Sequence, residues 1–260
     1  MKKICLQGFA YDKQSSFLKG CALAPPLIRK FYNSDSSNLY AENGIEISPD
    51  LVDDKGDFAI NTYFDIEDIS TRNLTKGVPL ISLGGDHSIT YPVLKAFKKI
   101  YGPINIIHLD AHADLYDQFE GEKYSHACTF SRIMEDEIGL NLFQIGVRTL
   151  NKEQLTARKK FDVKSAAIDH WELINEELNG LPSYISLDID VLDPAFAPGV
   201  SHHEPGGVST REVLRFIQNL KGPLLGADLV EFNPTRDSNG ITGMLCGKLF
   251  KELASKMVSQ

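Results

Sequence analysis

Three short apolar runs, each ending in a knot of acidic side chains joined in two of them by an imidazole, constrain the fold of this 260-residue chain more than any other feature. The run 104–109 leads into Asp110-Ala111-His112-Ala113-Asp114. The run 181–185 leads into Ser186-Leu187-Asp188-Ile189-Asp190. The run 78–83 leads into Gly84-Gly85-Asp86-His87-Ser88. Runs of this length read as buried strands of a parallel sheet. Residues two apart in an extended chain share a face. Asp110, His112 and Asp114 therefore converge from one strand end, and Asp188 and Asp190 from another. Ligands of open parallel sheets bind beyond the carboxyl ends of the strands. Four polar clusters fall there: 84–88, 110–117, 186–190 and 231–233.

The rest of the chain alternates in the same way. Strands are expected over 1–9, 78–83, 104–109, 142–147, 163–168, 183–189 and 224–230. Helices are expected over 88–101, 129–136, 152–161, about 171–178, 210–220 and 242–257. Ser88, Asn151 and Ser209-Thr210 are good helix openers. Residues 12–60 read as surface loops with a short helix near 24–28. The alternation implies a parallel sheet covered on both faces. With no repeat or linker, residues 1–260 read as one α/β domain.

Composition excludes some partners. A formal charge of −8, a pI near 5.4 and no basic tract argue against nucleic acid and anionic membrane. The first apolar run is too short for a signal peptide, and no segment approaches a membrane span. Cys5, Cys21, Cys128 and Cys246 lack the spacing of a zinc or redox motif and read as thiols of a reducing compartment. The expected location is cytoplasmic.

Asp110, Asp114, Asp188 and Asp190, with the imidazoles of His87 and His112, would repel one another or stay unpaired unless cations sat among them. A lone Asp-x-His-x-Asp or Asp-x-Asp is usually a polar loop. Several at strand ends in one chain, with little Arg or Lys nearby, are hard to explain structurally. Oxygen-rich ligation without cysteine favours Mn²⁺ over structural zinc. Four aspartates balance two divalent ions, and a bridging water would deprotonate readily.

At these motifs the chain resembles the arginase/agmatinase (ureohydrolase) family. The likeness rests on 84–88, 110–114, the long run 186–199, Glu204-Pro205-Gly206-Gly207 and the segment 228–234. Segments 15–20, 116–121 and 124–127 are most similar to plant-type arginases and their bacterial agmatinase-like relatives. The resemblance implies a three-layer arginase/deacetylase fold around a central, mainly parallel eight-stranded sheet, usually as a trimer or hexamer. It implies two Mn²⁺ per subunit, one held by His87, Asp110, Asp114 and Asp188. The other would be held by Asp110, His112, Asp188 and Asp190. It assigns Glu231 to the substrate guanidinium and places His126 beside the substrate as a proton carrier. Asp114 is a second candidate for passing a proton from the nucleophile.

The implied reaction is attack of a metal-bridging hydroxide on a small cationic guanidino compound, L-arginine or agmatine. The products are urea and an amine, ornithine or putrescine. Guanidinobutyrate or another guanidino acid is an alternative substrate. A zinc deacetylase-like amidohydrolase of the same fold and a non-catalytic metal-binding relative are rival readings. His202 and His203 read as polar loop, His108 as a satisfied core histidine and His170 as structural. Asp86 and Asp193 read as turn or supporting residues rather than ligands.

Overall fold

The computed structural model describes residues 3–260. Residues 1–2, part of the expected first strand, lie outside the described residues. Eight strands form one sheet: β1 (Ile4–Ala10), β2 (Val52–Ala59), β3 (Leu80–Leu83), β4 (Ile104–Leu109), β5 (Gly139–Ile145), β6 (Lys164–Ala166), β7 (Ser183–Asp188) and β8 (Leu224–Val230). Their order is β2-β1-β3-β8-β7-β4-β5-β6. Every pairing is parallel, where a mainly parallel sheet was expected.

Among the described residues, eight α-helices cover the sheet: α1 (Ala24–Tyr32), α2 (Asp65–Asn73), α3 (Thr90–Tyr101), α4 (Thr129–Glu135), α5 (Lys152–Lys160), α6 (Trp171–Leu178), α7 (Thr210–Asn219) and α8 (Ile241–Val258). Two apolar cores result, one on each face. Ile28 of α1, Leu178 of α6, Phe216 of α7 and Leu249 of α8 belong to one. Ile66 of α2, Phe97 of α3 and Phe130 of α4 belong to the other. Strands β4 and β7 are wholly buried because both faces are covered. Among the described residues, no helix is long and apolar enough to cross a membrane.

The topology explains where the site forms. The chain lays down β1 and β3 on one side and β4 to β6 on the other. It then inserts β7 and β8 between β3 and β4. Register aligns the four central strand ends, with Leu83 opposite Leu229, Leu187 opposite Leu229, and Leu109 opposite Leu187. Residues just beyond those positions therefore share one crevice.

One expectation fails within residues 12–60: strand β2 lies where loops were expected. Helix α2 forms in the following stretch, to which no element was assigned. The sequence Val-Asp-Asp-Lys-Gly-Asp-Phe-Ala has no apolar run because β2 is an edge strand facing solvent along most of its length. Its charges suit an exposed edge. Arg29 of α1 grips it, donating through Nε and Nη2 to Asp54 at 2.8 and 2.9 Å and reaching Asp57. Asn151 and Ser209 cap α5 and α7, each in a reciprocal capping box. Ser88 does not cap its helix. Asp86 caps the single turn 87–89 before α3 instead, accepting from the Ser88 amide.

Candidate metal centre and active site

Each acidic knot is shaped by bonds between its own backbone and side chains. At the end of β4, the His112 amide donates to Asp110 Oδ1 at 2.6 Å. At the end of β7, the Asp190 amide donates to Asp188 Oδ1 at 2.8 Å. The Ala111 amide donates to Asp190 Oδ1 at 3.1 Å, tying the two strand ends together. The loop after β3 approaches closely at Gly85, where an added Cβ would lie 1.7 Å from the Tyr11 carbonyl oxygen. That contact lets His87 turn inward.

His87 is fully buried. Its Nδ1 lies 3.0 Å from Asp110 Oδ2, 3.3 Å from Asp114 Oδ2 and 3.1 Å from Asp188 Oδ2. Its Nε2 lies 2.9 Å from Ser186 Oγ. That hydroxyl donates to Asp228 Oδ1 at 2.8 Å. Asp228 Oδ2 accepts from Thr90 Oγ1 and Tyr184 Oη, both at 2.9 Å. Ser186 has thus spent its proton and offers a lone pair, so Nε2 of His87 carries the hydrogen. The neutral ring then points a bare Nδ1 lone pair at three carboxylate oxygens, and Nδ1 has no hydrogen-bond partner.

That arrangement is repulsive unless a positive charge sits between them. Burial disfavours a charged ring, but Asp110, Asp114 and Asp188 outweigh it and push the His87 pKa well above its ordinary value. Burial, Asp190 and Asp110 likewise push Asp188 well up. The field that would draw a proton to this point would draw a divalent cation more strongly.

His112 makes a second such point nearby. Its Nδ1 lies 3.0 Å from Asp190 Oδ2 and 3.3 Å from Asp110 Oδ1. The six residues His87, Asp110, His112, Asp114, Asp188 and Asp190 therefore fall into two overlapping clusters that share Asp110. The donors, oxygen with one imidazole at each pole, fit divalent cations of intermediate hardness.

His108 is a buried, satisfied histidine, as expected, but its partner matters. Gln144 Nε2 donates to its Nδ1 at 3.1 Å, leaving Nε2–H to donate to Asp110 Oδ2 at 2.7 Å. With both nitrogens used, His108 orients Asp110 rather than adding a donor of its own. Asp86 and Asp193 stand in turns. Asp86 accepts from the Ser88 and Gln14 amides, and Asp193 from those of Ala195, Gly206 and Gly207. His203 bonds the Pro198 carbonyl, and His170 precedes α6.

Glu231 and His126 form the other half of the site. The Glu231 backbone is left-handed, φ 64°, as is that of Asp114, φ 49°. Such strain in a non-glycine residue persists where surrounding contacts over-determine it. Glu231 Oε1 accepts from the His87 amide and from His126 Nδ1, both at 2.8 Å. Its Oε2 accepts from the Cys21 thiol at 3.4 Å. Burial works against the Glu231 charge, but His126 and the donated hydrogen bonds hold its pKa down at about 2. Burial likewise opposes the charged form of His126, yet Glu231 raises its pKa to about 9. The Ser16 amide, 3.1 Å from His126 Nε2, pulls the other way, because it can only donate.

His112, Asp114, Asp188, Asp190, His126 and Glu231 open into one cavity of about 190 Å³, with Tyr116, Phe119, Thr149, Gln154 and His202 on its walls. No lysine or arginine lines it among the described residues. His202, given no role from sequence, stands at the mouth, its ring 5.2 Å from Phe17, 5.7 Å from His112 and 5.8 Å from His126. Sequence reasoning also passed over Ser16, Cys21, Ser186 and Asp228. Ser186 was within reach of it, lying two residues before Asp188 on the same face of β7. Ser16 and Cys21 carry no such signal.

Comparison with known proteins agrees with this geometry. A sequence model of the Arginase family matches residues 2–255. "Arginase 1, mitochondrial" of Oryza sativa subsp. indica is 44% identical over 97% of this chain and 81% of its own. The solved arginase from Medicago truncatula superposes with a TM-score of 0.87 at 37% identity, covering 98% of this chain and 87% of that one. A putative agmatinase from Clostridium difficile gives 0.90 at 30% identity, covering 99% and 98%. The chain belongs to the arginase family. It is a hydrolase of the class acting on guanidino compounds, a class that depends on metal. The deacetylase-like and non-catalytic readings are thereby set aside.

The expectation of a cytoplasmic protein is corrected by the same comparison. The rice relative and two from Arabidopsis thaliana are named as mitochondrial or chloroplastic/mitochondrial enzymes. Acidic composition and free thiols do not separate the cytoplasm from other reducing compartments. Addresses of this kind reside in removable segments rather than in the catalytic fold.

Proposed function

We propose that this protein hydrolyses L-arginine to urea and ornithine, with residues 1–260 acting as one catalytic domain. His87, Asp110, Asp114 and Asp188 would hold one Mn²⁺; Asp110, His112, Asp188 and Asp190 would hold another. Bound there, the pair would supply Lewis-acid activation of a water beside the substrate carbon. The observation that carries the reading is the unpartnered Nδ1 of His87 among three carboxylate oxygens, two of whose residues, Asp114 and Asp188, line the same cavity as the Glu231–His126 pair.

The chain's own residues do the rest. A guanidinium is planar, cationic and a poor electrophile. Glu231 accepts its N–H bonds, mainly at Oε2, where the Cys21 thiol is a weak competitor. That holds the guanidinium carbon over the carboxylate clusters. The leaving amine needs a proton, which His126 delivers; Asp114 stands where it can take one from the attacking water. His202 and Tyr116 on the cavity walls limit competing water.

Support for arginine comes from the 44% identity to a rice enzyme named arginase. Agmatine is the second reading, because no lysine or arginine among the described residues lines the cavity to meet an α-carboxylate. 4-Guanidinobutyrate stays in the panel for a similar reason, a Pseudomonas aeruginosa guanidinobutyrase being 37% identical over 78% of this chain. A homo-oligomer, trimer or hexamer, is part of the proposal. Urea release from arginine, agmatine and 4-guanidinobutyrate by Mn²⁺-loaded protein tests it. Turnover of arginine above the others supports the reading; preference for agmatine replaces the substrate, and no urea from any of them removes the function.

A further inference from the structure

His126 faces two contradictory partners, and one group in the structure resolves them. On the Nδ1 side, Glu231 stabilises a charged ring. On the Nε2 side, the Ser16 amide stabilises a neutral one, because an N–H cannot face a second N–H. The Ser16 hydroxyl lies 2.8 Å from the same Nε2. A hydroxyl can donate to the neutral ring and, by rotating, accept from the charged one. It is the one partner of Nε2, among the described residues, that suits both protonation states.

The placement of Ser16 is built rather than incidental. The segment after β1 is pinned over the site by Asp86, whose Oδ2 accepts from the Gln14 amide at 3.0 Å and the Ser15 hydroxyl at 3.4 Å. The His126 amide returns a bond to the Gln14 carbonyl at 3.2 Å. Asp12 Oδ2 accepts from the Gly20 amide at 2.7 Å, closing the segment into a loop. Ser16 is partly exposed and His126 is nearly buried, so the hydroxyl is the more solvent-accessible of the two groups.

We propose that Ser16 is a positioning residue that exchanges the His126 proton with solvent during turnover, a role resting on the guanidino-hydrolase reading above. In each cycle His126 Nε2–H gives its proton to the leaving nitrogen as the C–N bond breaks. The ring must then be reprotonated. The proton comes from water by way of the Ser16 oxygen, which takes one proton and gives up another, so no bond to carbon forms and nothing is oxidised. Ser16 does not touch the reacting carbon and acts through His126.

The test is steady-state urea release by Mn²⁺-loaded wild-type, Ser16→Ala, Ser16→Gly and Ser16→Thr protein at low and high concentrations of imidazole buffer. Metal content and melting temperature are measured on each. Ser16→Ala and Ser16→Gly should keep their metal and KM but lose kcat on the order of tenfold at low buffer, the effect of one hydrogen bond to a charged group. Imidazole should restore most of that loss, because a small base replaces the missing exchange partner. Ser16→Thr, which retains the hydroxyl, should stay near wild type. Wild-type kcat in Ser16→Ala or Ser16→Gly at low buffer would overturn the proposal. So would a loss that buffer does not relieve, or a Ser16→Thr protein as slow as Ser16→Ala. Absence of urea from the wild-type protein would instead strike the underlying function.

Discussion

His126 Nδ1 and Glu231 Oε1 lie 2.8 Å apart, joining a loop after β4 to the end of β8 across 105 residues of chain. The pair couples the substrate-facing half of the site to protonation. Burial opposes charge on both partners, and their mutual attraction prevails on both.

Stability of the metal-free protein should therefore depend on pH through this pair. The His126 pKa rises from 6.5 to about 9, so its contribution is complete below 6.5 and is lost as pH climbs through 9. The Glu231 pKa falls from 4.5 to about 2, so its contribution is complete above 4.5 and is lost as pH drops through 2. Melting temperature should decline between pH 6.5 and 9 in wild type and decline less in Glu231→Gln. Equal slopes in the two proteins would show that the pair is not coupled to folding.

Glu231→Gln should keep its metal and lose guanidino hydrolysis. The amide preserves shape but removes the charge that would meet the substrate. Losing one partner of a buried ion pair costs about 3–5 kcal/mol, so kcat/KM should fall on the order of 10²-fold or more. Unchanged kcat/KM would leave Glu231 a structural residue.

Asp188→Ala should bind less than one equivalent of Mn²⁺ and lose nearly all activity. Its Oδ2 faces His87 Nδ1 at 3.1 Å, and its Oδ1 shapes the turn that carries Asp190. Metal analysis after gel filtration checks this, and two retained ions with ordinary turnover would contradict the shared-ligand assignment.

Ser186→Ala should weaken metal binding without removing a ligand. The hydroxyl passes the orientation of Asp228 to His87 through bonds of 2.8 and 2.9 Å. Removing it frees the His87 ring to take the wrong tautomer. Loss of such a supporting partner usually costs 10–100-fold in metal affinity. Competition with a chelator would measure it, and wild-type affinity would show that packing alone holds His87.

Chelation should abolish urea release, and Mn²⁺ should restore it best, because the donors are mostly carboxylate oxygens. Activity should rise with pH as the activated water loses a proton and fall again as His126, which must carry a proton for the leaving amine, is titrated, the midpoints belonging to the coupled groups together. Full activity in metal-free protein would sink the mechanism. Best recovery with Ni²⁺ or Zn²⁺ would change the metal and leave the fold untouched.

Much of this was legible in the chain. The strands β4, β7 and β8 announce themselves as apolar runs because both their faces are buried. The six candidate ligands were readable because each stands within five residues after an apolar run, 78–83, 104–109 or 181–185. Strand β2 was not legible. An edge strand with one solvated face has no apolar run, and its place depends on Arg29 reaching over from α1. His202 looked like ordinary polar loop because nothing local says that a loop returns over the cavity.

Local sequence by itself determined which residues would stand at strand ends, and hence the acidic and imidazole content of the site. Strand formation and side-chain alternation are short-range consequences of burial and of the period of two. Only the tertiary structure decided which strand ends meet, through the insertion of β7 and β8 between β3 and β4. It also decided that Glu231 and Asp114 adopt left-handed backbone, that Ser16 reaches His126 across 110 residues, and that the Cys21 thiol backs Glu231. Those contacts join segments whose separation along the chain carries no information about their separation in space. The strain they impose is stable only after the two apolar cores have formed around them.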